Sequence, residues 1–295
     1  MTIPTEITPK QLRLMPLPQP DGGADKESRG NVLVIAGGSE VPGAALLAGV
    51  GALRAGAGQL SIATCARNAT ALGIAVPEAL VLGLRETPAG AIHPSAAVQL
   101  LSRIADCDAV LLGPGLQDEE AIAALATELL ENVGPGPTFV FDATAIKHLR
   151  AMRPLLKRHR GRIVVTPHAG EMAGLIGMKR SEVEADPLRI ACDAATELLS
   201  VVALKGAHTF IAPPQGEPAI CREGNVGLAT SGSGDVLAGI IAGLLARGTA
   251  PCAAACWGVY LHAKAGDHLA GRIGPVGFLA HELLLEIPGI MAELS

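Results

Sequence analysis

The chain has 295 residues, of which 49% are hydrophobic and only 2% aromatic, so Ala, Leu, Val and Ile must fill the core, as in buried parallel strands beneath alanine-rich helices. A formal net charge of -5 argues against a nucleic-acid partner, whose phosphates want a basic face. Six cysteines, Cys65, Cys107, Cys192, Cys221, Cys252 and Cys256, form no CxxC pair, which points to reduced thiols in a cytoplasmic protein. Cys252 and Cys256 share a helix face, yet no His or Cys pair accompanies them, and no side-chain metal site is expected.

Residues 1–28 read as a partly flexible amino-terminal extension, with 19–28 the clearest candidate for disorder. Neither a signal peptide nor a membrane span is seen. Beyond this, short β-branched or leucine-rich runs alternate with helical patterns. Residues 31–36 read as a strand, followed by the Gly37-Gly38-Ser39 turn and, past Pro42-Gly43, an apolar helix over 44–55. Strands over 59–64, 79–84, 108–112, 138–142 and 162–166 continue the series, with helices such as 119–131 between them. Strands joined by crossover helices imply a mainly parallel sheet. Runs at 201–205, 208–212 and 219–221 are separated only by turn residues and read as an antiparallel meander near one edge. Long helices from Asp235 and from Ala250 close what reads as one α/β domain over 1–295.

Polar clusters fall where predicted strands end: Gly113-Pro114-Gly115, Asp142, and Thr166-Pro167-His168-Ala169-Gly170-Glu171. In open parallel sheets the ligand crevice lies outside those ends. Singly, each also fits a turn, a helix cap or a first helical turn. Within the meander, Lys205 could reach a phosphate and Gly206 allow close backbone approach, although an ordinary hairpin explains that glycine equally well. The most informative segment is Ala229-Thr230-Ser231-Gly232-Ser233-Gly234-Asp235, which opens an apolar helix. Its glycines let the backbone approach a ligand, and the unpaired N–H groups of a first helical turn suit a phosphoryl group, so Gly232, Ser233 and Gly234 read as an anion hole. A carboxylate repels phosphate, so Asp235 there suggests a proton acceptor aimed at a substrate hydroxyl, with support of the helix start as the plainer alternative.

In this order, Gly37-Gly38-Ser39 with Pro42-Gly43-Ala44-Ala45, Leu53-Arg54-Ala55-Gly56-Ala57-Gly58, Gly113-Pro114-Gly115-Leu116, Thr166-Pro167-His168 with Gly170-Glu171, Lys205-Gly206 with Thr209, and Gly232 with Gly234-Asp235-Val236-Leu237-Ala238-Gly239 resemble the ADP- or ATP-dependent NAD(P)H-hydrate dehydratases of the ribokinase-like superfamily. The resemblance runs from about Lys26 to Pro288. It implies a ribokinase-like three-layer α/β/α sandwich and a lyase of nicotinamide nucleotide repair. In that activity the hydrates NADHX and NADPHX are phosphorylated on their hydroxyl and lose phosphate to give NADH and NADPH. By the same resemblance, Ala45, Gly115, His168 and Asp235 contact the hydrate. Lys205, Gly206, Ala207, His208, Thr209 and Gly234 hold the adenine nucleotide, ADP or ATP, with Mg²⁺ arriving on its phosphates, and Asp235 is the general base. A homo-oligomer is expected, and an epimerase, absent from this chain, as a separate protein. Departures from the family pattern are Val41 in place of a tyrosine, Thr144 in place of a second aspartate, and Ala169 and Val226 in place of prolines. The alternatives are a small-molecule kinase of the same superfamily and a nucleotide-binding regulatory protein without turnover.

Overall fold

Alternate residues along the central strands face two separate cores, which is why these strands read as unbroken apolar runs. The computed structural model describes residues 3–19 and 28–294. Its strands are β1 (Thr5–Glu6), β2 (Asn31–Ile35), β3 (Gln59–Cys65), β4 (Ala79–Leu84), β5 (Ala109–Leu112), β6 (Thr138–Phe141), β7 (Ile163–Val165), β8 (Val201–Leu204), β9 (Thr209–Ala212) and β10 (Ala219–Cys221). They form one sheet in the order β1-β10-β9-β8-β7-β6-β5-β2-β3-β4. From β4 across to β8 every pairing is parallel; β9 is antiparallel to both β8 and β10, which is the expected meander, and β1 pairs parallel with β10.

The α-helices are α1 (Pro9–Arg13), α2 (Gly43–Arg54), α3 (Ala66–Ala75), α4 (Ala97–Ile104), α5 (Glu119–Asn132), α6 (Arg153–Arg158), α7 (Ala169–Ile176), α8 (Arg180–Ala185), α9 (Pro187–Leu198), α10 (Ser233–Ala246), α11 (Pro251–Arg272) and α12 (Ala280–Leu294). Val32, Val34, Val140 and Ala203 point to one face of the sheet, covered by α2, α10, α11 and α12. Leu33, Ile35, Phe139, Phe141 and Val202 point to the other, covered by α4, α5, α7 and α9. The result is a three-layer α/β/α sandwich. Helix α10 lies so close to α2 that a Cβ on Gly239 would sit 2.1 Å from the Ala48 carbonyl oxygen and one on Gly243 2.3 Å from that of Ala52. Because α10 also carries Asp235, this contact locates the site relative to the sheet.

One expectation gains detail and another needs correction. Within the extension expected to be partly flexible, residues 3–19 form a packed arm: β1 extends the sheet, Thr8 caps α1, and Leu12 is fully buried. The Trp257 indole N–H donates to the Met15 carbonyl (2.7 Å) and Arg247 donates to that of Pro18 (2.7 Å), latching the arm to α11 and the end of α10. Most of the stretch expected to be disordered, 20–27, lies outside the described residues. The helices from 233 and 251 do not close the chain, since α12 follows with Pro288 inside it, and Leu283, Leu284, Ile287 and Ile290 bury its apolar stripe. A proline within a helical pattern normally marks its end, which hid this element from the sequence. No described helix is long and apolar enough to cross a membrane.

Candidate active site

The chain enters α10 through Gly232, whose φ of +86° belongs to the left-handed region and where a Cβ would come 2.5 Å from Leu47 Cδ1. The left-handed backbone requires glycine there, and a larger residue would also displace the end of the Leu47 side chain. Glycine also offers no side chain to cap the helix. Ser233 N–H reaches the Thr230 carbonyl and Val236 N–H that of Gly232, but among the described residues no acceptor meets the N–H groups of Gly234 and Asp235. Two donors therefore remain open at the positive end of a 14-residue helix, the arrangement that draws an anion.

Around this opening the carboxyl ends of β6, β7 and β8 bring together Asp142, Thr166 and Lys205. The Lys205 ammonium donates to Asp142 Oδ1 at 3.0 Å and lies 4.0 Å from Glu171 Oε2, while the Thr166 hydroxyl donates to the same Asp142 oxygen at 2.6 Å. Lys205 is placed by its backbone, whose N–H donates to the Pro167 carbonyl at 2.8 Å. Burial pushes the Lys205 ammonium down, but Asp142, Glu171 and Asp235 more than offset this and hold its pKa above the ordinary lysine value. Lys205 stays a cation, and a Cβ built on Gly234 would stand only 3.4 Å from its Nζ. The fixed charge and the free helix N–H groups thus share one spot.

Asp235 behaves differently from the carboxylates near it. Among the described residues its side chain has no hydrogen-bond partner, and burial, reinforced by Asp142, opposed by Lys205 and reinforced again by Glu171, pushes its carboxyl up to about 7. A carboxylate that is unpartnered and poised near neutrality is suited to taking a proton at physiological pH.

His168 is both cap and wall. Its Nδ1 accepts from the N–H groups of Gly170 (2.9 Å) and Glu171 (3.1 Å), and Glu171 Oε2 accepts from His168 N–H (2.8 Å), closing a capping box at the start of α7. With Nδ1 occupied as acceptor, the neutral ring carries its hydrogen on Nε2, on a side chain that lines the cavity described below. The glycine loops are joined to one another: Gly37 N–H donates to the Pro114 carbonyl (2.9 Å) and Gly38 N–H to that of Gly115 (2.8 Å). Gly113, at φ +132°, passes so close to β6 that a Cβ would overlap the Asp142 carbonyl at 1.8 Å. Gly115 is partly exposed at the end of this loop, whereas Ala45 is completely buried and packs beneath Gly37. Thr144, standing where a second aspartate was expected, donates its hydroxyl to the Leu116 carbonyl and ties two loops together. Val41 is exposed on the same rim.

A cavity of about 1130 Å³ opens beside Lys205, walled by Lys205, Gly206, Ala207, His208 and Thr209, by Val183 of α8, by 223–226 and 228–230, by Ser233 and Gly234, and by Val259 and His262 of α11. Every residue expected to hold a nucleotide lines it. Of the residues expected to meet the other substrate, His168 lines this cavity as well, whereas Ala45, Gly115 and Asp235 do not. What the sequence did not reveal is the pair formed by Ser233 and His262, whose Oγ and Nε2 share a 2.9 Å hydrogen bond; a histidine inside an apolar helical run was its one signal. Burial pushes the His262 ring down to about 4, against the pull of Ser233 and with the Lys205 charge pushing the same way, so it is neutral at physiological pH.

A mainly parallel sheet between two helical layers, with an uncapped glycine helix start, a fixed lysine and a lone carboxylate of raised pKa at its carboxyl edge, is the architecture of the ribokinase-like fold, with its polar groups gathered where such sheets take their ligands. Residues 32–289 match the family model described as NAD(P)H-hydrate dehydratase, and the chain belongs to that family. It is 47% identical over 289 residues to the ADP-dependent (S)-NAD(P)H-hydrate dehydratase of Xanthomonas campestris pv. campestris, covering 98% of this chain and 96% of that protein. It is 40% identical to the bifunctional NAD(P)H-hydrate repair enzyme Nnr of Moorella thermoacetica, covering 95% of this chain and 52% of that protein, so the chain spans about half the length of this longer relative. The crystal structure of the ADP/ATP-dependent NAD(P)H-hydrate dehydratase from Bacillus subtilis, co-crystallized with ATP/Mg²⁺, superposes with a TM-score of 0.80 at 29% identity and full coverage of both chains. Hydroxyethylthiazole kinase from Pyrococcus horikoshii shares the fold at 16% identity and a TM-score of 0.57.

Proposed function

We propose that the protein uses ADP or ATP to return NADHX and NADPHX to NADH and NADPH, acting as a carbon–oxygen lyase. The observation that carries this is the unpartnered Asp235 carboxyl, held near 7 beside open helix N–H groups and a fixed lysine. Hydroxide is a poor leaving group, so the hydroxyl of the hydrate must first become a phosphate ester. Asp235 takes the hydroxyl proton as the oxygen attacks the terminal phosphorus, and the P–O bond to the nucleotide breaks. The N–H groups of Gly234 and Asp235 and the Lys205 ammonium lie where negative charge builds. The lone pair of the ring nitrogen then expels phosphate, and loss of a proton from the neighbouring carbon restores the ring double bond.

The cavity walled by Lys205–Thr209 suits the adenine nucleotide, with Gly115, His168 and Asp235 facing the hydrate and Ala45 supporting the loop above it. Magnesium fits as an ion carried by the nucleotide phosphates, because Asp142 and Glu171, the oxygen donors on this side, are already drawn to Lys205; bound there, it neutralises phosphate charge. The same reading makes 1–295 one domain, consistent with its single sheet. It places the enzyme in the cytoplasm as a homo-oligomer, an assembly supported by the apolar edge strand β4 with Leu80 exposed. The bifunctional relatives support pairing with a separate epimerase that supplies the S hydrate. Incubating the purified protein with NADHX or NADPHX and either nucleotide tests it: dihydronicotinamide absorbance and inorganic phosphate should rise together. A stable phosphorylated product in place of NADH or NADPH would make the protein a kinase.

A further inference from the structure

The start of α10 has to present its N–H groups in a fixed geometry, and its own sequence gives it little to do so. Its cap is Gly232, which has no side chain, and the Gly234 and Asp235 N–H groups are unbonded among the described residues. The hydrogen bond between Ser233 and His262 is the one side-chain hydrogen bond shown for segment 230–235. Both partners are nearly enclosed, Ser233 at 3% and His262 at 9% exposure, and both line the cavity that Lys205 enters. His262 projects from α11, in an otherwise apolar run where leucine would pack without the cost of burying an imidazole. A buried polar pair of this kind specifies position more than it adds stability.

We propose that His262 is a positioning residue for phosphoryl transfer, holding the Ser233 hydroxyl and through it the first turn of α10 in the conformation that receives the nucleotide phosphates. This rests on the reading of α10 as the phosphate site. With the tether in place, the Gly234 and Asp235 N–H groups are set before the nucleotide arrives; without it, the glycine-capped turn has to be ordered at the expense of binding.

Four full-length variants test the assignment: His262→Leu, His262→Gln, Ser233→Ala and the double variant Ser233→Ala/His262→Leu. Each is measured by calorimetry with ADP, by steady-state kinetics on NADHX, and by thermal melting. His262→Leu should weaken ADP and slow turnover on the order of tenfold, the worth of one hydrogen bond, leaving the KM for NADHX and the melting temperature near those of the parent. His262→Gln, whose amide still reaches Ser233, should recover most of the loss, and the double variant should be no worse than the single ones. Unchanged ADP affinity in His262→Leu, losses that follow the melting temperature with Gln no better than Leu, or additive losses in the double variant would each overturn the proposal. A parent that binds ADP but leaves NADHX unconverted would defeat the dehydratase reading while the ADP titrations still decide the role of His262; a parent that binds no ADP would overturn both.

Discussion

Asp235 is costly to the fold at the pH where it is useful. Its ordinary value is 3.8 and its folded value about 7, so the neutral acid favours the folded state fully below about 4, and that contribution is lost as pH rises through 7. A shift of this size corresponds to at most about 4 kcal/mol. Asp235→Asn removes the cost and, on the proposed mechanism, the base with it. It should lower turnover by about a hundredfold or more, raise the melting temperature by several degrees at pH 8, and leave it unchanged at pH 4; equal melting curves at pH 8 would contradict the raised pKa. In the parent, kcat/KM should fall tenfold per pH unit below about 7, since only ionised Asp235 accepts a proton. Glu171 is one of the charges pushing Asp235 up, and Gln keeps the capping box because its side chain still accepts from His168 N–H. Glu171→Gln should therefore move the acidic limb of the profile to lower pH; a limb that stays put or rises would mean that Glu171 does not act on Asp235.

At the level of elements, the site depends on how closely α10 lies on α2. Gly239 and Gly243 face the Ala48 and Ala52 carbonyls at distances that admit no Cβ, and since the opposing atoms are backbone, no side-chain rotation relieves the clash. Gly239→Ala must separate the helices. The expected destabilisation is about 1–3 kcal/mol or more, read by urea denaturation, with turnover lost as the Gly232 turn moves from Leu47. A variant as stable as the parent would mean the two helices slide freely. The pattern of small residues in α10 was legible in the sequence as an apolar helix, but its partner was not, because helix-on-helix contact at this distance is a property of two elements that the chain separates by about 190 residues (Ala52 to Gly243).

Across the whole molecule, the amino-terminal arm acts as a clasp. It closes the β10 edge, buries Leu12, and supplies the carbonyls that meet Trp257 and Arg247. Deleting residues 1–19 should lower the melting temperature and shift Trp257 fluorescence to the red, a clean signal because the chain has a single Trp. ADP affinity at low temperature should persist, since no arm residue lines the cavity. Fluorescence identical to the parent would show that the arm does not cover the indole.

The sequence by itself determined the alternation of strands and helices, the parallel sheet with its meander, and the loops at the strand ends. These follow from local periodicity and from glycines whose positive φ the turns demand, as at Gly113, Gly115 and Gly232. The resemblance then supplied the order of the motifs and, with it, residues that line the cavity beside Lys205. Only the tertiary structure decided what those residues do to one another. Lys205 meets Asp142 across 63 positions, Ser233 meets His262 across 29, and Trp257 meets Met15 across 242. Tethers of that length, and a carboxyl pushed to about 7 by burial and by Asp142 and Glu171 from other parts of the chain, depend on desolvation and on charges that come together only when the chain folds.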